Sequence, residues 1–321
     1  MTMIHINMKE YPVSRYLKQL LMDKSTKKNI IFATDSYIDE GPEYSAKAHM
    51  TPDLIFNMQD AIQPRITKAM EEQAARTRKK AEVFTPAWLC CKMNDHCDEE
   101  WFGRKDVFCH QEGPAWEMIR EQVSFPEGRT WKQYVDSRRL EITCGEAPYI
   151  VSRYDAASGE PIPVKDRIGI LDRKLRVVTE NTENRADWAK WALRAYQSVY
   201  GYEFQGDSLL IARINLLLTY IEYVQEIWED EPSDTELSNI LRVIVWNIWQ
   251  MDGLTGMIPF SVLDTAQVDE EKYGHQMTFF EYDADVFGKA PETKEDQEQV
   301  ECRIYDWRSK VSVTYNSLKK G

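Results

Sequence analysis

The chain has 321 residues, 43% hydrophobic and 29% charged, enough for a buried core and for about two domains or one elaborate one. Forty basic against 53 acidic residues leave a net charge of −13, which repels polyphosphate over most of the surface and argues against a general nucleic-acid coat protein. The longest apolar stretch, Leu209 to Ile221, is interrupted by Arg213 and Asn215 and falls short of the ~20 apolar residues that cross a bilayer. The N-terminus mixes charges with single apolar residues, unlike a secretory signal, so a soluble, cytoplasmic chain with no membrane partner is expected. Its six cysteines then fit reduced thiols better than a disulfide framework.

In chain order, Asn29 to Thr34 reads as a short buried strand, followed by the turn-rich DSYIDEGPEYSAK. Asp60 to Lys80 holds six bases, Arg65, Lys68, Arg76, Arg78, Lys79 and Lys80, against Asp60, Glu71 and Glu72. It reads either as a phosphate-contacting helix or as a solvated helix face. From Glu82 onward strand and helix patterns alternate, as in an α/β sheet with crossover helices. Leu140 to Thr143 is a candidate strand. Trp188, Trp191, Ala192, Ala195 and Val199 recur at three- and four-residue spacing, which predicts one apolar helical face over Ala186 to Tyr200. Gly201 to Phe204 follows as a strand, and Ser208 to Trp228 as a long apolar helix with Ser208 as its cap. Leu237 to Trp249 reads as a helix passing into a strand. After Thr265 the composition turns acidic and loop-rich, closing in Cys302 to Trp307. There is no internal repeat.

Three of these segments end as ligand-binding strand tips do. Leu140 to Ile150, LEITCGEAPYI, passes from an acid, Glu141, through Thr143 and Cys144 to Gly145. Such a turn lets backbone N–H groups approach a ligand closely. Tyr200 to Asp207 places Glu203 and Phe204 at the end of a second strand, where a carboxylate accepts hydrogen bonds from vicinal hydroxyls. Glu203 follows Gly145 by 58 residues, against ~20 in the simple dinucleotide fingerprint, and Asp172, at 27 residues, is a rival for that role. Trp246 to Leu254 ends a third apolar run in Asp252 and Gly253, where an acid can hold an exocyclic amine. The ten Trp and sixteen Tyr residues either fill a core or stack on a base.

Taken in order, these elements resemble the S-adenosylmethionine-dependent DNA adenine methyltransferases of the modification-subunit type in restriction–modification systems. Glu82-Val83-Phe84-Thr85-Pro86 is similar to the family's FTP element over the methionine end of the cofactor. Leu140 to Ile150 resembles the glycine motif, Gly201 to Leu216 the ribose-acid motif with its ARxNL helix, and Asn247 to Leu254 the NIxxxDxL element. The resemblance implies a Rossmann-like class I methyltransferase sheet with helices on both faces at 82–265, an N-terminal cap at 1–81 and an acidic extension at 266–321. It implies an S-adenosylmethionine site formed by Phe84, Thr85, Pro86, Glu141, Thr143, Cys144, Gly145, Glu203, Phe204 and Asp252, with Glu203 on the ribose and Asp252 on the adenine edge. It also implies DNA as partner, met by the six bases around Arg65, and a possible partner subunit. The chain departs from the family at Ala147, where a second glycine is preferred, and at Ile142, where proline is common. It has no Asn/Asp/Ser-Pro-Pro-Tyr/Phe string, the element that carries catalysis in the family by holding the flipped adenine's amine. The alternative reading is a catalytically incomplete methyltransferase-like subunit or an interaction protein, as a regulatory partner or a phage–host decoy.

Cys90, Cys91, His96, Cys97, Cys109 and His110 lie within 21 residues. Without paired C-x-x-C knuckles they read as reduced thiols, with Cys90 and Cys91 on the helix after the FTP element, rather than as a zinc site. No H-E-x-x-H pair, serine elbow or P-loop is present.

Overall fold

The computed structural model describes residues 4–67, 85–261 and 300–320. Helix α1 (Val13–Leu20) buries Val13, Tyr16, Leu17 and Leu20, the three- and four-residue spacing of one apolar stripe. Next come α2 (Pro52–Asn57), capped by Thr51, and α3 (Ala87–Phe102), which starts directly after Pro86. The hairpin β1 (Cys109–Glu112) and β2 (Ala115–Met118) follows, then α4 (Trp131–Asp136), opened by a Thr130–Gln133 capping box.

The central unit is strand β3 (Arg139–Glu141), helices α5 (Ile170–Glu180) and α6 (Arg185–Gln197), strand β4 (Val199–Glu203), helices α7 (Gly206–Trp228) and α8 (Asp234–Asn247), and strand β5 (Ile248–Gln250). The three strands form one parallel sheet in the order β3-β4-β5, with Glu141 opposite Gly201 and Glu203 opposite Gln250. Each strand-to-strand connection is a helix pair, as parallel pairing requires. A C-terminal hairpin, β6 (Arg303–Asp306) and β7 (Val311–Thr314), and a short 3-10 helix (Tyr315–Lys320) complete the described residues. The fold is mixed α/β with small sheets.

Side-chain alternation divides the central sheet into two faces. Val199 and Ile248 join the main core with α5, α6, α7 and α8. Tyr200, Tyr202, Trp249 and Met251 instead pack on Cys302, Ile304, Val313 and Tyr315 around the terminal hairpin. The expectation of helices on both faces is therefore modified: the second face carries a β-hairpin and an aromatic cluster. Residues from Ile6 to Ile62 belong to the same main core as the central helices.

Three expected elements differ in detail. The helix expected over Ala186 to Tyr200 ends at Gln197, and Val199 and Tyr200 begin β4 instead. Asn29 to Thr34 is no ladder strand: Ile31 makes an isolated bridge to His49, and Ala33 turns away at φ 50°. The strand neighbour is replaced by a side chain, since Gln250 accepts the Ile31 N–H at 2.9 Å and donates Nε2 to the Ile31 carbonyl at 2.9 Å. Helix α7 begins at Gly206 rather than at Ser208, because the Gly206 N–H donates to the Phe32 carbonyl at 2.8 Å. A Cβ at Gly206 would lie 2.0 Å from the Ile31 carbonyl oxygen, so only glycine admits this approach.

Three buried basic side chains tie the elements together. Arg213 of α7 donates to the Ile248, Leu20 and Met22 carbonyls and joins β5 to the end of α1. Lys174 of α5 donates to the Val135 and Ser137 carbonyls and to Ser198 Oγ. Arg173 pairs with Asp95 and Asp98 of α3. Burial lowers the Arg213 pKa to about 10, which still leaves it charged at neutral pH. Arg213→Leu strands three carbonyls and is expected to lower unfolding free energy by about 2–4 kcal/mol in urea titrations; a change within about 0.5 kcal/mol, the range of an ordinary surface substitution, would show that these bonds contribute little.

Candidate functional site

Parallel pairing brings the C-terminal ends of β3, β4 and β5 out on one edge of the sheet, where their loops meet. After Glu141 the chain turns through Thr143 (φ 48°), Gly145 (φ 54°) and Ala147 (φ 65°), all left-handed. The turn is fixed from below by the Cys144 N–H, which donates to the Tyr202 carbonyl at 2.8 Å. Cys144 is buried, and burial holds its thiol well above the ordinary range. At Gly145 a Cβ would meet nothing within 4 Å, so glycine serves the backbone angle and leaves the space before the turn open.

The Gly145 N–H donates to Glu203 Oε2 at 2.8 Å, and the Gln205 N–H donates to Glu203 Oε1 at 3.1 Å. The first and second strand tips, 58 residues apart in sequence, are thus joined directly. Glu203 is 8% exposed. Phe204 is half-buried and lies 5.7 Å from the ring of Phe260, which is exposed on the loop after β5. Asp252 sits on the same loop. Its Oδ1 accepts the Leu254 and Thr255 N–H groups, and its own N–H donates to the Met257 carbonyl. Ile142 and Leu254 stand exposed beside these turns.

Glu141 ends β3 with its Oε2 buried and without a hydrogen-bond partner. Burial, and then the charge of Glu203, push its pKa well above the carboxylate range, while the Tyr149 and Ile150 amides oppose the rise. Thr85 approaches the same turn through a side-chain hydrogen bond with Tyr149. Pro86 leads into α3, whose Asn94 donates to the Tyr149 and Ile168 carbonyls. Thr85, Pro86, Glu141, Thr143, Cys144, Gly145, Glu203, Phe204 and Asp252 therefore all lie on the strand tips or on segments against them. Phe84 lies outside the described residues.

Asp172, the rival acid, is placed elsewhere. It is fully buried near the start of α5, and its Oδ2 accepts the Ser152 N–H and Oγ–H and the Gly169 N–H. It caps a connection, and its carboxylate is fully enclosed near the start of α5 rather than at a strand tip. Of the basic segment, Arg65 is half-buried and its N–H donates to Glu146 Oε1 at 2.6 Å; Lys68, Arg76, Arg78, Lys79 and Lys80 lie outside the described residues. Glu146-Ala147-Pro148-Tyr149 is the nearest string to the missing catalytic motif but overlaps the glycine motif, so sequence reasoning sets it aside and gives no role to Glu146, which also accepts from Tyr154, or to Gln250, which links Ile31 to the Phe204 carbonyl. Their polarity at a strand tip was the available signal.

Chemically, the tips offer a fixed amide–carboxylate pair, a second carboxyl with one buried, unpartnered oxygen and an aromatic pair at the rim. Comparisons with protein-family models, with curated proteins and with solved structures find no match. No helix among the described residues is long and apolar enough to cross a membrane.

A raised folded-state pKa makes the protonated Glu141 carboxyl favour folding at low pH, and this advantage disappears as pH rises through that pKa. Glu141→Gln is therefore expected to match the wild type in stability near pH 4 and to exceed it at pH 8 by at least about 1.4 kcal/mol, the equivalent of a tenfold change in proton affinity. Parallel stability–pH curves for the two proteins would contradict the assignment.

Proposed function

We propose that the strand tips bind S-adenosylmethionine and that the chain is a methyltransferase acting on the adenine amino group of DNA, with the three parallel strands forming the cofactor half of a Rossmann-like sheet. The observation that carries this reading is the Gly145 amide–Glu203 carboxylate bond, which unites a glycine turn and a strand-end acid in the order that dinucleotide-type sites use.

The residues fit such a cofactor. Held by two amides, the Glu203 carboxylate accepts hydrogen bonds from a pair of vicinal ribose hydroxyls. Phe204 and Phe260 provide an apolar edge for a purine, and Asp252, on the neighbouring turn, accepts from its exocyclic amine. The unpartnered Glu141 Oε2 suits an ammonium group, whose charge would restore the ionised carboxylate. The open space before Gly145 lets the ligand reach the backbone. When bound, the cofactor supplies a methyl group already activated on a sulfonium. The protein's own task is to hold that group in line with the acceptor amine.

A second reading, a cofactor-binding subunit that completes its catalytic site with a partner chain, is favoured by two observations. The sequence contains no Pro-Pro pair. Among the described residues the sheet also ends at β3, where Leu140 is 47% exposed.

Calorimetry and methyl transfer from labelled S-adenosylmethionine to DNA test both readings. Gly145→Asp, which puts a carboxylate into the open space beside Glu203, is expected to abolish binding while the circular dichroism spectrum stays native. Glu203→Ala is expected to weaken binding at least ~10-fold, the loss of about 1.4 kcal/mol. Methyl transfer by the chain alone supports the enzyme, and transfer only with an added partner supports the subunit. Unchanged affinity in Gly145→Asp would remove the site.

A further inference from the structure

Away from the strand tips, α3 and β1 bring two cysteines together. Cys91 Sγ and Cys109 Sγ are 2.8 Å apart, and the residues are 0% and 1% exposed. Asp95, one turn after Cys91, has carboxylate oxygens 3.6 Å from Cys91 Sγ and 3.4 Å from Cys109 Sγ. Arg173 Nη2 reaches both sulfurs, at 3.6 and 3.7 Å, and Asp95 Oδ1 at 2.8 Å. The hydrogen bond with Cys109, and then burial, raise the Cys91 thiol pKa; the Arg173 cation opposes that rise, and Asp95 stands within reach as a proton acceptor.

We infer that Cys91 and Cys109 form a reversible disulfide that clamps α3 to the β1–β2 hairpin. The same three side chains, Cys91, Asp95 and Cys109, could be read as metal ligands, but the sulfur spacing decides between the two. Sulfurs bound at about 2.3 Å to a tetrahedral zinc stand roughly 3.8 Å apart, a full ångström more than observed. A covalent bond at about 2.05 Å needs a smaller movement, inward. Arg173 also points its charge at the sulfurs, where a metal cation would meet repulsion. Its remaining bonds to Asp98 and to the Ile168 carbonyl hold it in place whether or not the thiols are oxidised.

Burial restricts the oxidant to a small molecule, a peroxide. One thiol gives its proton to Asp95, and its thiolate attacks a peroxide oxygen; the O–O bond breaks, hydroxide leaves and takes up that proton as water, and a sulfenic acid forms. The second sulfur attacks the sulfenic sulfur, the S–S bond forms, and its proton departs with the sulfenic hydroxyl as water. Two thiols are oxidised and one peroxide becomes two waters. The clamp bears on the strand tips through Asn94 of α3, which donates to the Tyr149 and Ile168 carbonyls.

The full chain is treated with hydrogen peroxide, alkylated under denaturing conditions and digested without reductant for mass spectrometry. The expected product is a peptide pair linked at Cys91 and Cys109, lighter by two hydrogens. The melting temperature should rise by several degrees and return with dithiothreitol. Cys91→Ser and Cys109→Ser should give neither effect, and Cys97→Ser, at the half-exposed thiol of α3, should give both. The proposal is overturned if Cys91 and Cys109 are recovered fully alkylated while Cys97 alone is oxidised. It is equally overturned if the purified protein carries one equivalent of zinc that Cys91→Ser releases.

Discussion

The hydrogen bond from the Gly145 amide to the Glu203 carboxylate fixes the geometry on which the candidate site rests. It needs a backbone at φ 54°, which glycine adopts without strain, and a carboxylate at the last position of a parallel strand. The register supplies the second condition, since Glu203 extends beyond β3 and lies opposite Gln250 at the end of β5. Gln250 then carries the constraint outward, because its amide holds both the Ile31 backbone and the Phe204 carbonyl. The N-terminal segment is in this way fastened to the strand tips.

Around that centre the structure relies on buried charge as much as on apolar packing. Arg173, Asp95, Asp98, Tyr134 and Arg139 form one network between α3, α4, α5 and β3. Such groups are costly to bury and remain only where every partner is in place. Here they link α3, α4 and α5 to one another and to β3. Arg153 and Arg167 do the same for α7 by sharing Glu222, whose pKa they hold below the usual range against the opposing effect of burial.

Much of the local structure is legible in the residues themselves. The spacing of Trp188, Ala192 and Ala195 marks the buried face of α6, although Val199, at the same spacing, lies in β4; the apolar run from Leu237 does pass from helix into strand, at Asn247–Ile248. The three strand tips are visible because each ends an apolar run with an acid or a glycine. Contacts between distant residues are not. Arg213 reads as an interruption of an apolar helix, and only its reach to Leu20 and Met22 shows that it is a tie. Ser208 reads as the cap of α7, yet the helix is stopped two residues earlier by a tertiary contact, the Phe32 carbonyl, that no local cap announces. Asp172 and Glu203 are both acids that follow the glycine turn and both are buried; placement separates them, Asp172 on Ser152 near the start of α5 and Glu203 at the tip of β4. Cys91 and Cys109 meet because hairpin β1–β2 folds back on α3, which spacing alone does not encode.

Whether the Gly145–Glu203 junction is a cofactor site is tested most directly by calorimetric titration of the folded, monodisperse wild-type chain with S-adenosylmethionine. A saturable, one-to-one isotherm is predicted, with a Kd on the order of micromolar, about −8 kcal/mol of binding free energy. No heat of binding up to millimolar ligand would contradict the cofactor site.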